Sequence, residues 1–162
     1  MKILLAVDGS PCSDKAVEEM ARRPWPAKSE IKVMTAIELP TPPTPEAWAI
    51  PPSYFEELDR AASNQARSVA ERAVAKLKRA LGPDANVKGE AIPGPPRGVI
   101  LDEAQTWGAD LIVVGSHGYG ALERFLLGSV SQSVVAHAKC SVEVVRCPDA
   151  TAAKKVEQEK GV

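Results

Sequence analysis

Residues 111–131 read LIVVGSHGYGALERFLLGSVS. The first four, Leu111-Ile112-Val113-Val114, are a short apolar run of the kind a buried strand needs, and they feed straight into Gly115. Gly118 and Gly120 follow, and Gly128-Ser129 opens a segment in which Val130, Val134 and Ala138 recur on one helical face. Glycine has no Cβ, so a loop rich in it lets bare backbone approach a ligand. A helix starting at Gly128-Ser129 aims free N–H groups and a partial positive charge at the same spot. Strand, glycine loop and helix start together describe an anion site, most naturally for phosphate. The plainer alternative is a turn that needs positive φ and binds nothing. Ser129 with Gln132 three residues on has the spacing of a capping box.

Outward from that stretch the sequence alternates. Residues 2–8, KILLAVD, form a buried-strand run ending in an acid. In Asp8-Gly9-Ser10-Pro11, Ser10 suits a helix cap and Pro11 the first helical position; Ala16, Val17, Met20 and Ala21 then share a face until Pro24 and Pro26 intervene. Residues 30–38 alternate as a second strand. Residues 39–52 carry six prolines and Trp48 and are expected to be an extended surface loop, a lid or a flap folded onto apolar surface. Phe55, Leu58, Ala62, Ala66, Val69, Ala73 and Leu77 make one stripe that Leu81-Gly82-Pro83 ends; it is one long helix or two broken near Ser63-Asn64. Residues 86–92 read as a third strand weakened by Gly89. A helix carrying Ile100, Ala104 and Trp107 on one face follows and stops at Gly108. Residues 109–114 are the fourth strand, residues 122–126 a short helical piece, and residues 141–146 the fifth strand. The expected fold is α/β: a single doubly wound, five-stranded parallel sheet, Rossmann-like, filling one domain at 1–148, with 149–162 a disordered tail. Ligands in such sheets bind at the carboxyl ends of strands where the order reverses. Asp8 and Gly115 stand at two such ends.

A net charge of −1 gives no bulk attraction to nucleic acid or an anionic membrane, and no stretch approaches the ~18 apolar residues of a membrane span. Lys76, Lys78 and Arg79 fit a solvated helix face. Cys12, Cys140 and Cys147 are odd in number and lack metal-type spacing, which speaks for a reducing compartment and against a disulfide scaffold. Without a secretory leader pattern at Met1-Lys2, the expected location is cytoplasmic.

Three nucleotide or phosphate signatures fail. No Gly-Lys-Ser or Gly-Lys-Thr occurs, so there is no Walker loop. The glycines at 115, 118 and 120 reverse the dinucleotide spacing and follow the wrong strand. A receiver domain would need an acidic cluster, an acceptor aspartate and a lysine that Asp8, Ile92-Pro93 and Arg146 do not supply. Cys12 reads as a small buried thiol rather than a nucleophile, His117 as a loop residue able to touch a ligand, and His137 as a helix-end surface residue. Two separated histidines make no zinc site.

Gly115-x2-Gly118-x9-Gly128-Ser129, read with LLAVDGS near the start, resembles the nucleotide motif of the ATP-binding branch of the universal stress proteins, and the likeness extends from the first strand to the fifth. The resemblance implies strand order 3-2-1-4-5 with a nucleotide between the first and fourth strands. It implies Ala6, Val7 and Asp8 on the adenosine side, and Gly115 and Gly118 along the ribose and phosphate path. Gly128, Ser129, Val130 and Ser131 would hold phosphates, the two serine hydroxyls adding donors; Ser116 and His117 complete the candidate set. It further implies ATP with Mg²⁺ bound mainly through phosphates, and a homodimer seamed along Val142–Val145. The functional expectation is an ATP-binding regulatory or stress-response protein. A slow ATPase and an interaction scaffold with an empty site are the alternatives. The proline-rich loop is longer than the family pattern leads one to expect.

Overall fold

The computed structural model describes residues 1–38, 51–118 and 127–147. Strands and helices alternate as β1 (Lys2–Ala6), α1 (Pro11–Arg22), β2 (Glu30–Ile37), α2 (Pro52–Leu81), β3 (Asn86–Pro93), α3 (Pro96–Trp107), β4 (Leu111–Gly115), α4 (Ser129–His137) and β5 (Ser141–Val145). All neighbouring strands run parallel, in the order β3-β2-β1-β4-β5. The expected α/β sheet and its strand order are therefore present. The proline-rich segment with Trp48, the helical piece at 122–126 and the tail lie outside the described residues.

The sheet is covered on both faces, which is why β1 and β4 are apolar without alternation. Ile3, Leu5, Val7, Leu111 and Val113 face a core shared with α1 and α2. Leu4, Met34, Ile112 and Val114 face the other core, with Ile100 and Ala104 of α3 and Val134 of α4. Gly89 does not weaken β3 idly: a Cβ there would meet Val74 Cγ2 of α2 at 2.9 Å. Its absence lets α2 lie close to the sheet. On the other face Lys32 of β2 bonds Glu103 and sits 4.9 Å over the Trp107 ring, fixing α3 against the sheet.

α2 is a single helix of 30 residues, unbroken at Ser63-Asn64. At 1.5 Å per residue it is about 45 Å long, against roughly 26 Å for an eight-residue strand, so it outruns the sheet. Among its described side chains the buried ones are Ala66, Val69, Ala70, Ala73 and Leu77, all from its midpoint onward.

Two expectations fail. Ser129 does not cap α4: the cap residue is Gly128, which has no side chain to bond the helix start, so the Ser129–Gln132 box does not form. Cys12 is not a free thiol, because it is disulfide-bonded to Cys147 across 135 residues, with Cα atoms 5.0 Å apart. The pairing is topological. α1 follows β1, β5 flanks β4, and both sulfurs arrive behind the carboxyl end of β4.

The uneven packing of α2 makes Leu77→Ala the costly change and Tyr54→Ala the mild one. Leu77 is fully buried and Tyr54 is 49% exposed. Urea unfolding should show a loss of about 2–5 kcal/mol for the first and within ~0.5 kcal/mol for the second.

Candidate functional site

The register pairs Ala6 with Val114. β1 and β4 thus end side by side, and their loops leave together. The loop after β1 is closed by serines. Ser10 caps α1, its Oγ accepting from Ser13 N–H at 3.3 Å. Ser13 Oγ accepts from Gly9 N–H at 3.1 Å and donates to Ser10 C=O at 3.0 Å. Asp8 Oδ1 accepts from Ser10 N–H at 2.9 Å, an Asx turn that holds the carboxylate at the strand end. Gly9 has φ 81°, the left-handed conformation this turn demands.

The loop after β4 hangs on Ser116. Its N–H donates to Val145 C=O at 2.7 Å, and its C=O accepts from Gly128 N–H at 2.8 Å and from Ser131 Oγ at 2.9 Å. Its Oγ lies 3.1 Å from His117 Nδ1 and 3.8 Å from Cys12 Sγ. One residue therefore joins β5, the start of α4 and the disulfide. A further bond, Ser10 Oγ to His117 C=O at 3.3 Å, stitches the two loops together.

Between the loops lies a cavity of about 630 Å³, within the usual range of small-molecule sites. Of the residues expected from sequence, it is lined by Ala6, Val7, Asp8, Gly115, His117, Gly118, Gly128, Ser129, Val130 and Ser131. Ser116 is not among them; it is 3% exposed and supports the lining from behind. The cavity also takes in Met34, Ala36 and Glu38 at the end of β2, Ser13 of α1, and Pro96 and Ile100 of α3. Sequence reasoning missed these. The available signal was the position of Ala36 and Glu38 at the carboxyl end of the strand beside β1.

The glycines have separate reasons. A Cβ on Gly115 would sit 2.8 Å from the Cys12 carbonyl carbon and 2.9 Å from the Ser13 nitrogen, so this glycine lets the first turn of α1 press against β4. A Cβ on Gly118 would meet Asp8 Oδ2 at 2.7 Å, so this one gives the carboxylate room. A Cβ on Gly128 would lie 3.3 Å from both His117 Cα and the Ser116 carbonyl oxygen.

The chemistry of the lining divides by element. Met34 and Ala36 of β2 and Pro96 and Ile100 of α3 give it apolar surface. In α4 the first intrahelical bond runs from Gln132 N–H to Gly128 C=O, so the N–H groups of Ser129, Val130 and Ser131 precede it. They carry the positive end of the helix dipole. The expectation of two donor hydroxyls needs correcting: Ser131 Oγ donates to Ser116 C=O and Gly128 C=O, which leaves Ser129 as the exposed hydroxyl. His117 Nε2 is buried without a partner among the described residues. Asp8 and Glu38 are the carboxylates of the lining, and among its described residues there is no Lys or Arg.

Comparisons with known proteins bear on the family and the fold. Residues 1–146 match the model of the universal stress protein family. Universal stress protein Rv1996 of Mycobacterium tuberculosis is 33% identical over 152 residues, covering 88% of this chain and 47% of that protein. The chain thus spans about half the length of the curated relatives it matches first. Among solved structures, universal stress protein UspA from Lactobacillus plantarum superposes with a TM-score of 0.72 at 26% identity, covering 90% of this chain and 97% of that one. Two more distant neighbours share the fold. A universal stress protein family protein from Arabidopsis thaliana with AMP bound has TM-score 0.65, 20% identity and coverage of 93% and 94%. A universal stress protein in complex with cAMP has TM-score 0.64, 23% identity and coverage of 90% and 96%.

Gly115→Ala tests the packing behind the cavity. The added methyl meets backbone atoms rather than a flexible side-chain end, and denaturant unfolding should show a loss of about 1–3 kcal/mol. A variant as stable as the parent would contradict the contact.

Proposed function

The chain belongs to the universal stress protein family, and from that premise we propose that it binds ATP in the crevice between β1 and β4 and acts through that binding in a stress response. The observation that carries the reading is a lining that joins apolar surface from β2 and α3 to the start of α4. An adenine ring suits the wall of Met34, Ala36, Pro96 and Ile100. Phosphate oxygens suit the N–H groups of Ser129, Val130 and Ser131, and His117 Nε2, without a partner among the described residues, is a further donor in its protonated form. AMP and cAMP in the two distant family neighbours support an adenine nucleotide as the ligand class.

In this reading Asp8 and Glu38 face the nucleoside, where a carboxylate accepts hydroxyl or amino protons without opposing a phosphate. Mg²⁺ belongs with the phosphates, held through them and water. It would supply positive charge where the described lining has no Lys or Arg. The proposed action is binding rather than turnover, in the cytoplasm, by a homodimer paired along Val142–Val145. β5 is the last strand in the sheet order, a position from which an edge can pair with a second copy.

Protein purified from cells, denatured and cleared by filtration should release ATP, seen by anion-exchange chromatography. Gly118→Val should weaken ATP by at least ten-fold in titration calorimetry, because the side chain displaces the Asp8 carboxylate into the crevice. Unchanged affinity in a folded variant would remove the site from consideration. Val144→Arg places a charge on the edge strand and should shift light scattering at low micromolar concentration toward a monomer. A dimer that persists with native circular dichroism would count against the seam.

A further inference from the structure

The bond between Cys12 and Cys147 has no part in holding a nucleotide directly, yet it lies against the end of β4, where Gly115 and Ser116 lead toward α4. Cys12 is the second residue of α1, and its carbonyl group is what Gly115 packs against. Cys147 lies two residues beyond β5. Between the two stands Ser116, bonded through its N–H to Val145 C=O at 2.7 Å, with its Oγ 3.8 Å from Cys12 Sγ. The C=O of the same residue holds Gly128 N–H and Ser131 Oγ, the start of α4.

We propose that Cys12 and Cys147 form a reversible thiol–disulfide switch that sets how tightly the crevice holds its nucleotide, the disulfide form binding more tightly. The switch rests on the nucleotide reading above. The co-reactant is a low-molecular-weight disulfide, RSSR. The Cys12 thiolate attacks one sulfur of RSSR and expels RS⁻. The Cys147 thiolate then attacks Cys12 Sγ in the mixed disulfide and expels the second RS⁻. Both expelled thiolates take up the protons the cysteines gave up. Two protein thiols are thereby oxidised by two electrons, and one RSSR is reduced to two RSH. Excess RSH reverses the sequence. In a reducing cytoplasm such a bond is transient, as regulatory disulfides there are.

The structural coupling follows from lack of room. Two thiols cannot keep a bonded separation, so reduction forces the sulfurs apart. On one side, α1 already abuts Gly115 and is held by Ser10 and Ser13. The displacement therefore falls on the segment leaving β5 or on the end of β4, and both meet at Ser116. Moving Ser116 moves the acceptor that positions Gly128 and Ser131. The third cysteine is a poor substitute, because burial pushes the Cys140 thiol up from its ordinary value, and it lies at the start of β5, the far end of the strand from Cys147. By linkage the effect is mutual: bound nucleotide must shift the thiol–disulfide equilibrium toward the disulfide.

Protein treated with glutathione disulfide should carry one alkylation label by mass spectrometry, and reduced protein three, one for each cysteine; three labels after oxidation overturn the proposal. ATP titrated into both forms should bind the reduced form at least five-fold more weakly, the lower end of measured site-to-site couplings. A smaller difference overturns it. Cys147→Ser should bind at the reduced-form affinity and ignore oxidant, whereas Cys140→Ser should respond as the parent does; the reverse pattern overturns the pairing. Hydrogen exchange at Gly128–Ser131, read without nucleotide, should quicken on reduction. If neither form binds ATP, the nucleotide reading and the switch as stated both fall, and the exchange data then show whether the disulfide still reaches α4.

Discussion

The backbone of Ser116 is where the molecule is tied together. Its N–H is taken by β5 and its C=O by two groups at the start of α4, all within 2.9 Å. A residue whose backbone groups are all engaged cannot drift, and it is flanked by a glycine on which α1 rests. The helix whose N–H groups face the cavity is therefore placed by hydrogen bonds to the sheet rather than by a capping side group of its own. β1 contributes the other wall by the same logic, with Ser13 gathering the turn after Asp8. The strand order brings these two serine-rich junctions together.

Much of this could be read from the residues in order. The apolar runs at Ile3–Ala6 and Leu111–Val114 are unbroken because both faces of the sheet are covered, and that pattern fixed the class of fold. Ser10 and Pro11 mark the helix start where the structure has it. The glycine spacing located the loop. What escaped was whatever depends on residues far apart in sequence. The apolar wall comes from Met34 and Ile100, brought beside Val114 only by the strand order. The Cys12–Cys147 pair joins positions that no local spacing connects. Ser131 misled for a different reason: a serine in the first turn of a helix looks like a free donor until its acceptors, Ser116 and Gly128, are seen.

The energetics of the crevice also depend on that division. A helix start contributes about 0.3–1 kcal/mol to an anion, up to ~2 when partly buried. Micromolar affinity requires about 8 kcal/mol. The dipole cannot supply that alone. Hydrogen bonds from N–H groups to a charged ligand, about 1.5–3 kcal/mol each, and burial against the apolar wall, at roughly 25 cal/mol per Å² of surface removed from water, would have to supply the rest. The helix start also acts to select. It favours a ligand whose apolar part carries a negative group at the right separation.

The engaged serines have one more effect. Around Asp8 and Gly9 the backbone donors turn inward to Ser13. Across the cavity, the donors at the start of α4 point outward. The two sides of the crevice thus differ, with donors taken up after β1 and left over by the first turn of α4. An anionic group would be drawn to the second side and repelled by the Asp8 carboxylate on the first. Such a lining would treat the two ends of any ligand it held unequally.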